Sequence, residues 1–336
     1  MNIGNKTHFG KCGKINMSNQ LEGKNVLVTG GTGLVGGHLV EKLLSLGTRI
    51  FVLDIVVKPG SYFASQKLQE KVKLILQDVR DSVKLKEIIL AENISYIFHL
   101  AAQALVPVAY EDPALTLDTN IMGTVSVLEA ARLIPSVKAV VVASSDKAYG
   151  KDCQDATEDQ ALSGDHPYDV SKSAADLICT AYFKTYGIPV TVSRFGNIFG
   201  PGDLNFNRIF PGMMKSALQN EALELRSDGT FARDYVYVKD VVDGYICLAE
   251  QIDKAKGEAF NFSSGFNFSV LNLIEKTSGV IGKKIEYKIV NNQKNEIPEQ
   301  SLNFAKAEKV LGWKSKYNFD QGILETFDWY KQQLQS

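Results

Sequence analysis

A glycine turn set between a short apolar strand and an amphipathic helix constrains this chain more than any other stretch. Asn25-Val-Leu-Val-Thr29 reads as a strand, Gly30-Gly31-Thr32-Gly33-Leu34-Val35-Gly36 follows, and Leu39, Val40, Leu43 and Leu44 carry helical spacing up to Gly47. The glycines fit both G-x-x-G-x-x-G and G-x-G-x-x-G. Lacking a Cβ, such a turn lets the backbone close on a pyrophosphate, while the helix start offers free N–H groups and the positive end of its dipole. A glycine turn holding no ligand is the bland alternative. Against it, the next strand, Ile50-Phe-Val-Leu53, ends at Asp54, about twenty residues beyond the glycines, where a carboxylate accepts from a ribose diol. That carboxylate repels a 2′-phosphate. The pattern therefore predicts NAD rather than NADP, held by Gly30, Gly33, Leu34, Val35, Gly36 and Asp54.

Strands and helices continue to alternate. Val72–Leu76 leads to Asp78-Val79, which in this layout borders the adenine, although Asp78 also suits the cap of a helix over Val83–Leu90. Tyr96–Leu100 ends in Ala101-Ala102-Gln103, small residues past which a cofactor runs close to the backbone. His99, alone inside an apolar strand, reads as a satisfied core histidine. A helix over Thr116–Ile134 has apolar spacing at Leu117, Ile121, Val125, Leu128 and Ala131; a strand Ala139–Ala143, a helix Tyr168–Tyr186 and a strand Val190–Phe195 follow. This alternation predicts an α/β fold, a Rossmann-type doubly wound parallel sheet over residues 23–200. Beyond it the pattern turns irregular. Helices are expected at Arg208–Asn220, Val241–Ala249 and Phe319–Gln333, with extended pieces at Leu223–Arg226 and Asp234–Val238 and mixed elements at Leu271–Ser278 and Ile285–Val290. Residues 201–336 thus read as a smaller, discontinuous, mixed α/β substrate lobe. Residues 1–22 read as a frayed N-terminal extension, in which Met17 is an alternative start and His8 with Cys12 carries no metal.

Composition excludes several classes. A net charge of −1 gives no pull toward nucleic acid or an anionic membrane. No apolar run reaches the roughly 18 residues of a membrane helix, and no h-region of a signal peptide is visible. The four cysteines, Cys12, Cys153, Cys179 and Cys247, have neither metal nor disulfide spacing, which fits a reducing cytoplasm and no metal centre.

The chemistry gathers after the fifth strand, in Ser144-Ser145-Asp146-Lys147-Ala148-Tyr149-Gly150. Carboxyl ends of parallel strands are where doubly wound sheets hold ligands. Tyr168 and Lys172 share a helix face, and an ammonium beside a phenol is expected to lower its pKa, which makes Tyr168 a base for an alcohol proton during hydride transfer to a nicotinamide. Lys172 also suits the nicotinamide ribose. Ser145 is placed to hydrogen-bond the reacting hydroxyl, and strand alternation turns one of Ser144 and Ser145 away. Asp146 and Lys147 exceed what an oxidoreductase needs and suggest proton transfers at further carbons, unless they are solvated loop charges. Asn197, Arg208, Lys215, Arg226 and Arg233 are donors of the kind that faces a diphosphate.

These residues resemble the extended short-chain dehydrogenase/reductase family of nucleotide-sugar enzymes, the NAD-dependent epimerases and dehydratases. The resemblance runs from about residue 23 and includes Thr29–Gly36, His99-Leu-Ala-Ala102, Tyr168-x-x-x-Lys172, Arg194-Phe-Gly-Asn197, Arg233-Asp234-Tyr-Val-Tyr-Val238 and Leu311-Gly-Trp313. Within the family the chain is most similar to the CDP-glucose 4,6-dehydratase branch, through Ala101-Ala-Gln103, Leu105-Val106, Asn120-x-Met122-Gly-Thr124 and Ser145-Asp146-Lys147. It departs from that branch at Ser145, where threonine is usual, and at Arg233-Asp234-Tyr235, which is similar to epimerases. The resemblance implies catalysis by Ser145, Asp146, Lys147, Tyr168 and Lys172, cofactor contacts extending to Asp78, Val79, Ala101, Ala102 and Gln103, and a nucleotide-sugar substrate met by Asn197, Arg208 and Arg233. It also implies a homodimer formed through a four-helix bundle, with Val127, Ile178, Ala181 and Tyr182 as surplus apolar residues on the two long helices. Three functions stay open: a 4,6-dehydratase, a 4-epimerase, and a cofactor-binding protein without catalysis.

Overall fold

The computed structural model describes residues 20–151, 153–291 and 299–334, so His8, Cys12 and Met17 lie outside the described residues. Six strands build the first half: β1 Asn25–Thr29, β2 Arg49–Asp54, β3 Lys73–Leu76, β4 Tyr96–His99, β5 Ala139–Ala143 and β6 Val190–Phe195. The second half adds β7 Asn197–Phe199, β8 Leu223–Leu225, β9 Ala232–Tyr237, β10 Ala259–Phe262, β11 Phe266–Ser269, β12 Tyr287–Ile289 and β13 Glu299–Gln300. The main sheet is wholly parallel and runs β10-β6-β5-β4-β1-β2-β3. This is the doubly wound Rossmann order with one strand added, and its direction reverses between β1 and β4, which places the ligand crevice beyond their carboxyl ends.

Both faces of the sheet are covered, so its strands read as unbroken apolar runs. Side-chain alternation divides them. Val26, Val28 and Val141 join one cluster with Leu39, Leu43, Val241 and Leu248, whereas Leu27, Val140 and Val142 join another with Leu85, Ile89, Leu128 and Cys179. Helices Leu34–Ser45 and Val238–Glu250 thus cover one face; Ser82–Ala91, Gly123–Leu133 and Pro167–Tyr186 cover the other. A cut at residue 200 does not separate two bodies. β10 extends the main sheet beside β6, and Val238–Glu250 packs on it. What remains is a smaller lobe in which β9 pairs with β7, β11 and β13, around Phe199, Phe210, Tyr235 and Trp329. Among the described residues no helix is long and apolar enough to cross a membrane.

The long helix expected over Thr116–Ile134 begins at Pro113 and contains a wide π turn at Asp118–Met122 before Gly123–Leu133. Its inward face at this level is polar: Thr116, Asn120 and Thr124 are buried, while Leu117, Ile121 and Val125 are only partly so. The apolar stripe read from the sequence therefore points off-axis there.

Two buried histidines make the fold sensitive to acid. Burial pushes His38 down to about 4 and His99 down to about 3. The unfolded chain then binds protons that the fold refuses, so this stabilisation is full above about pH 6.5 and is lost as pH falls toward about 4. Burial raises Asp234 to about 6, which works in the opposite direction over the same interval. The melting temperature is expected to drop between about pH 7 and pH 5. Asp169, Asp240 and Glu250, raised by burial too, add to that offset; Asp234→Asn removes its share and should steepen the drop, and an equal or shallower slope would count against these assignments.

Candidate active site

The crevice is built from strand ends. At the end of β1, Gly30 has φ +70°, and a Cβ there would lie 2.6 Å from the Ala101 nitrogen. A Cβ on Gly36 would lie 2.3 Å from the Gly30 carbonyl oxygen. Packing alone therefore requires these two glycines. Gly33 differs: it is exposed, and an added Cβ would meet only the Gly30 oxygen, at 3.4 Å. Nothing in the protein demands glycine there, which is what a close-lying pyrophosphate would demand. Gly33 also caps helix Leu34–Ser45, which has no side-chain cap and no acidic residue in its first turn, so the helix start is left for an anion. Leu34 and Val35 continue this turn, half-buried.

Asp54 closes β2 and is fixed by the loop it serves. One carboxylate oxygen accepts from the Thr32 nitrogen at 3.0 Å and the Thr32 hydroxyl at 2.6 Å, and the other accepts from the Ile55 nitrogen at 2.8 Å. Asp54→Ala should weaken NAD binding by about 1–3 kcal/mol, the cost of stranding its partners. Titration should also show the native protein binding NADP far more weakly than NAD, and equal affinities would contradict the role given to Asp54.

Asp78 is not a helix cap. Its carboxylate forms a bidentate pair with Arg80, which holds its pKa low, and Asp81 caps Ser82–Ala91 instead, accepting from the Lys84 nitrogen at 3.0 Å. Val79 beside it is buried. Beyond β4, Ala101 lies against Gly30 and Ala102 follows it, half-buried, while Gln103 is clamped: its nitrogen donates to Asn120 at 2.8 Å and its amide to Thr116 at 2.8 Å. His99 meets Thr29 at 2.8 Å through one ring nitrogen and Thr124 at 3.1 Å through the other, as a satisfied core histidine does. The polar seam of the π-turned helix thus holds the β4 loop.

The fifth strand delivers the reacting groups. Ser145 starts a 3-10 turn, Asp146–Tyr149. Its hydroxyl donates to Asp146 Oδ1 at 2.8 Å and is hydrogen-bonded with the Tyr168 phenol. Lys147 Nζ donates to the same Asp146 oxygen at 3.2 Å. Asp146 is buried, and its second oxygen has no hydrogen-bond partner. The Ser144 nitrogen donates to the Ser193 carbonyl of β6 at 2.8 Å, and its buried hydroxyl has no hydrogen-bond partner. Behind the turn, Tyr149 receives Arg194 and donates to Asn261, and Arg194 pairs with Asp176 of the Tyr168 helix. These buried bonds fix the turn against that helix.

Tyr168 and Lys172 come to the turn, but not in the relation expected from their spacing. Lys172 Nζ donates to the Ala143 carbonyl at 2.9 Å, and burial lowers its pKa to about 8. The Tyr168 phenol is pushed up, first by burial and then by the charges of Asp146 and Asp169, with Arg208 and the Ser145 bond opposing. One proton of the Lys172 ammonium is engaged at the end of β5. Asp169 and His166 were not singled out from the sequence, yet both lie against this cluster.

The expected diphosphate donors divide. Arg208 donates to Asp203 at 2.7 Å and to the Ile198 carbonyl at 2.9 Å, beside Asn197, and its charge reaches Tyr168. Arg233 lies on β9 and donates to the Ala232 carbonyl at 2.8 Å. Lys215 and Arg226 are engaged at the surface, with Glu221 and the Asn207 carbonyl.

The chain is similar to known proteins in sequence and fold. The chain is 29% identical over 332 residues to CDP-glucose 4,6-dehydratase of Salmonella typhimurium, covering 92% of this chain and 91% of that one. It is 30% identical over 325 residues to UDP-glucose 4-epimerase of Lactobacillus helveticus, covering 91% and 97%. The fold matches dTDP-glucose 4,6-dehydratase of Streptomyces venezuelae, solved with NAD bound, at a TM-score of 0.84 and 27% identity over 92% of this chain and 97% of that one. The profile of the NAD dependent epimerase/dehydratase family matches residues 26–263, and the chain belongs to that family, with NAD as its cofactor.

Proposed function

We propose that the protein is a nucleotide-sugar 4,6-dehydratase, with CDP-glucose the favoured substrate, forming the 4-keto-6-deoxyhexose nucleotide. One observation carries this most: a buried carboxyl with an amine on one oxygen and nothing on the other. An unpaired buried oxygen costs about 1–3 kcal/mol unless a substrate group meets it. A departing C6 hydroxyl is such a group. Lys147 and Asp146, 3.2 Å apart, can act as base and acid while sharing one proton between them.

NAD, held by the glycine turn and Asp54, would supply the hydride acceptor for C4 and the hydride donor for C6. Tyr168 takes the C4 hydroxyl proton, with Ser145 bridging phenol and site and Lys172 at the cofactor ribose. The new ketone acidifies C5. Lys147 removes that proton, and Asp146 protonates the C6 oxygen, which leaves as water; the C4 hydroxyl proton held by Tyr168 passes through the Ser145 hydroxyl to Asp146, so both groups end as they began. Asn197, Arg208 and Arg233 are assigned to the substrate's diphosphate. The second reading, a 4-epimerase, is favoured by Arg233-Asp234-Tyr235 and by the equal similarity to UDP-glucose 4-epimerase. Comparing kcat/KM for CDP-, UDP- and dTDP-glucose tests the choice of substrate: 4-keto-6-deoxy product made fastest from CDP-glucose supports it, and its absence from all three rejects the dehydratase.

We also propose a homodimer. Val127 turns out to be core, and Ile178 and Tyr182 pack partly against that core, so they are not surplus. A different set is exposed on the two long helices: Met122 and Leu133 on one, and Val170, Leu177 and Tyr186 on the other. Light scattering at micromolar concentration should give twice the chain mass; the single-chain mass would contradict the assembly.

A further inference from the structure

A line of ionisable groups leaves the site beside Tyr168. Asp169 is buried, its side chain 4% exposed, and its Oδ2 lies 3.5 Å from His166 Nδ1. That nitrogen is itself buried and makes no hydrogen bond. His166 Nε2 lies 3.6 Å from Asp165 Oδ1, and Asp165 Oδ2 lies 2.7 Å from Lys151 Nζ. Side-chain exposure rises along the line, from 4% at Asp169 to 23% at His166, 37% at Asp165 and 58% at Lys151. The line therefore starts in the site and ends in solvent.

Its inner end is in electrical contact with the reacting groups. Burial raises the Asp169 pKa, while His166 and Lys147 oppose the rise and Asp146 and Asp165 add to it. The groups facing the His166–Asp169 pair are Asp146 and Lys147 from the catalytic turn, Tyr168 on the same helix, Asp165 and Lys151 from the preceding loop, and the Tyr110 ring, 5.5 Å from His166. The backbone holds the pair in place: a Cβ on Gly164 would lie 2.4 Å from the Asp169 carbonyl carbon, and the Gly164 nitrogen donates to Ser173 at 3.2 Å.

We infer that Asp169, His166 and Asp165 form the proton path between solvent and the Lys147–Asp146 pair. The inference rests on the dehydratase reading. In that reaction the C5–H bond breaks, its electrons form the C4–C5 enolate, and its proton passes to Lys147. The Lys147 ammonium, whose charge acts on Asp169 without touching it, gives a proton through an intervening water to the Asp169 carboxylate, His166 takes it from Asp169, and Asp165 and water take it from His166. The same line, run inward, brings back the proton that C5 takes up when the hydride reaches C6. No electron leaves the path, and its members end as they began. Asp169 and His166 are positioning residues in this scheme, acting through Lys147 and not on the sugar.

The test is turnover of CDP-glucose in heavy water by the native enzyme, Asp169→Asn and His166→Gln, with deuterium at C5 of the product read by NMR. Native product should carry solvent deuterium at C5. Losing a general acid–base group slows proton transfer by about 10²-fold or more, so Lys147 returns a hydrogen before its ammonium exchanges; that ammonium holds two solvent deuterons beside the original hydrogen, so both variants should keep hydrogen at C5 in about a third of their product, where native keeps almost none. In His166→Ala, added imidazole should restore deuterium. The amount of NADH formed in the first turnover and the melting temperature should match native, which separates a lost path from a damaged fold. If the variants incorporate as much deuterium as native, water reaches Lys147 directly and the path is wrong. If native enzyme yields no 6-deoxy product, the dehydratase reading fails, and the path fails with it.

Discussion

Replacing Asp146 with Asn is expected to leave the first oxidation nearly intact while slowing formation of the 6-deoxy product by about 10²–10⁴-fold, the usual worth of a general acid. The amide keeps the carboxyl's shape, and its oxygen can still accept from Ser145 and Lys147. It cannot give a proton to a departing hydroxyl. NADH absorbance should therefore build up with substrate bound, where native enzyme shows it only in passing. A second consequence follows from the site's charges. Asp146 raises the Tyr168 pKa, so neutralising it should lower that pKa. The rise of oxidation rate with pH should then shift to lower pH in the variant. Full product turnover with no stored NADH would remove Asp146 from the elimination step. Lys147→Met should likewise store NADH, because the C5 proton then has no base to take it.

Tyr168→Phe should abolish both signals. The ring stays and the Ser145 turn keeps its Asp146 and Lys147 bonds, so the fold and its melting temperature should be preserved. Only the phenol is lost, and with it the group that takes the C4 hydroxyl proton. Neither NADH nor product should form at more than about 10⁻² to 10⁻⁴ of the native rate. Substantial NADH in this variant would mean that another group, such as Lys172, with its pKa lowered to about 8, takes that proton. Stopped-flow absorbance on the two variants thus divides the reaction into its two halves.

Much of this architecture is written in local signals. The strand, glycine turn and helix over residues 25–45, and Asp54 at the end of β2, follow from periodicity and backbone freedom, which act over a few residues. What could not be read depends on contacts distant in sequence. β10 was not expected, because Ala259–Phe262 is a short apolar piece whose partner, β6, lies far back in the chain. The π turn at Asp118–Met122 is another case. One extra residue rotates all that follows by about 100° relative to a regular helix, and after it Thr124 and Val127 lie buried. The Lys172 interaction was misjudged for a related reason: a shared helix face shows that two groups are neighbours, not which one the ammonium bonds. Asp169 and His166 escaped notice since single charged residues at the start of a helix read as solvated.

Proton NMR of the product formed from CDP-glucose in heavy water tests the central claim most directly. Loss of the C6 hydroxyl converts C6 into a methyl group, and solvent deuterium at C5 removes its splitting partner. The account predicts a new methyl signal without the coupling to C5 that the same reaction in ordinary water would show, alongside a C4 ketone. A product that keeps its hydroxymethyl group, with C4 inverted or unchanged, would contradict it.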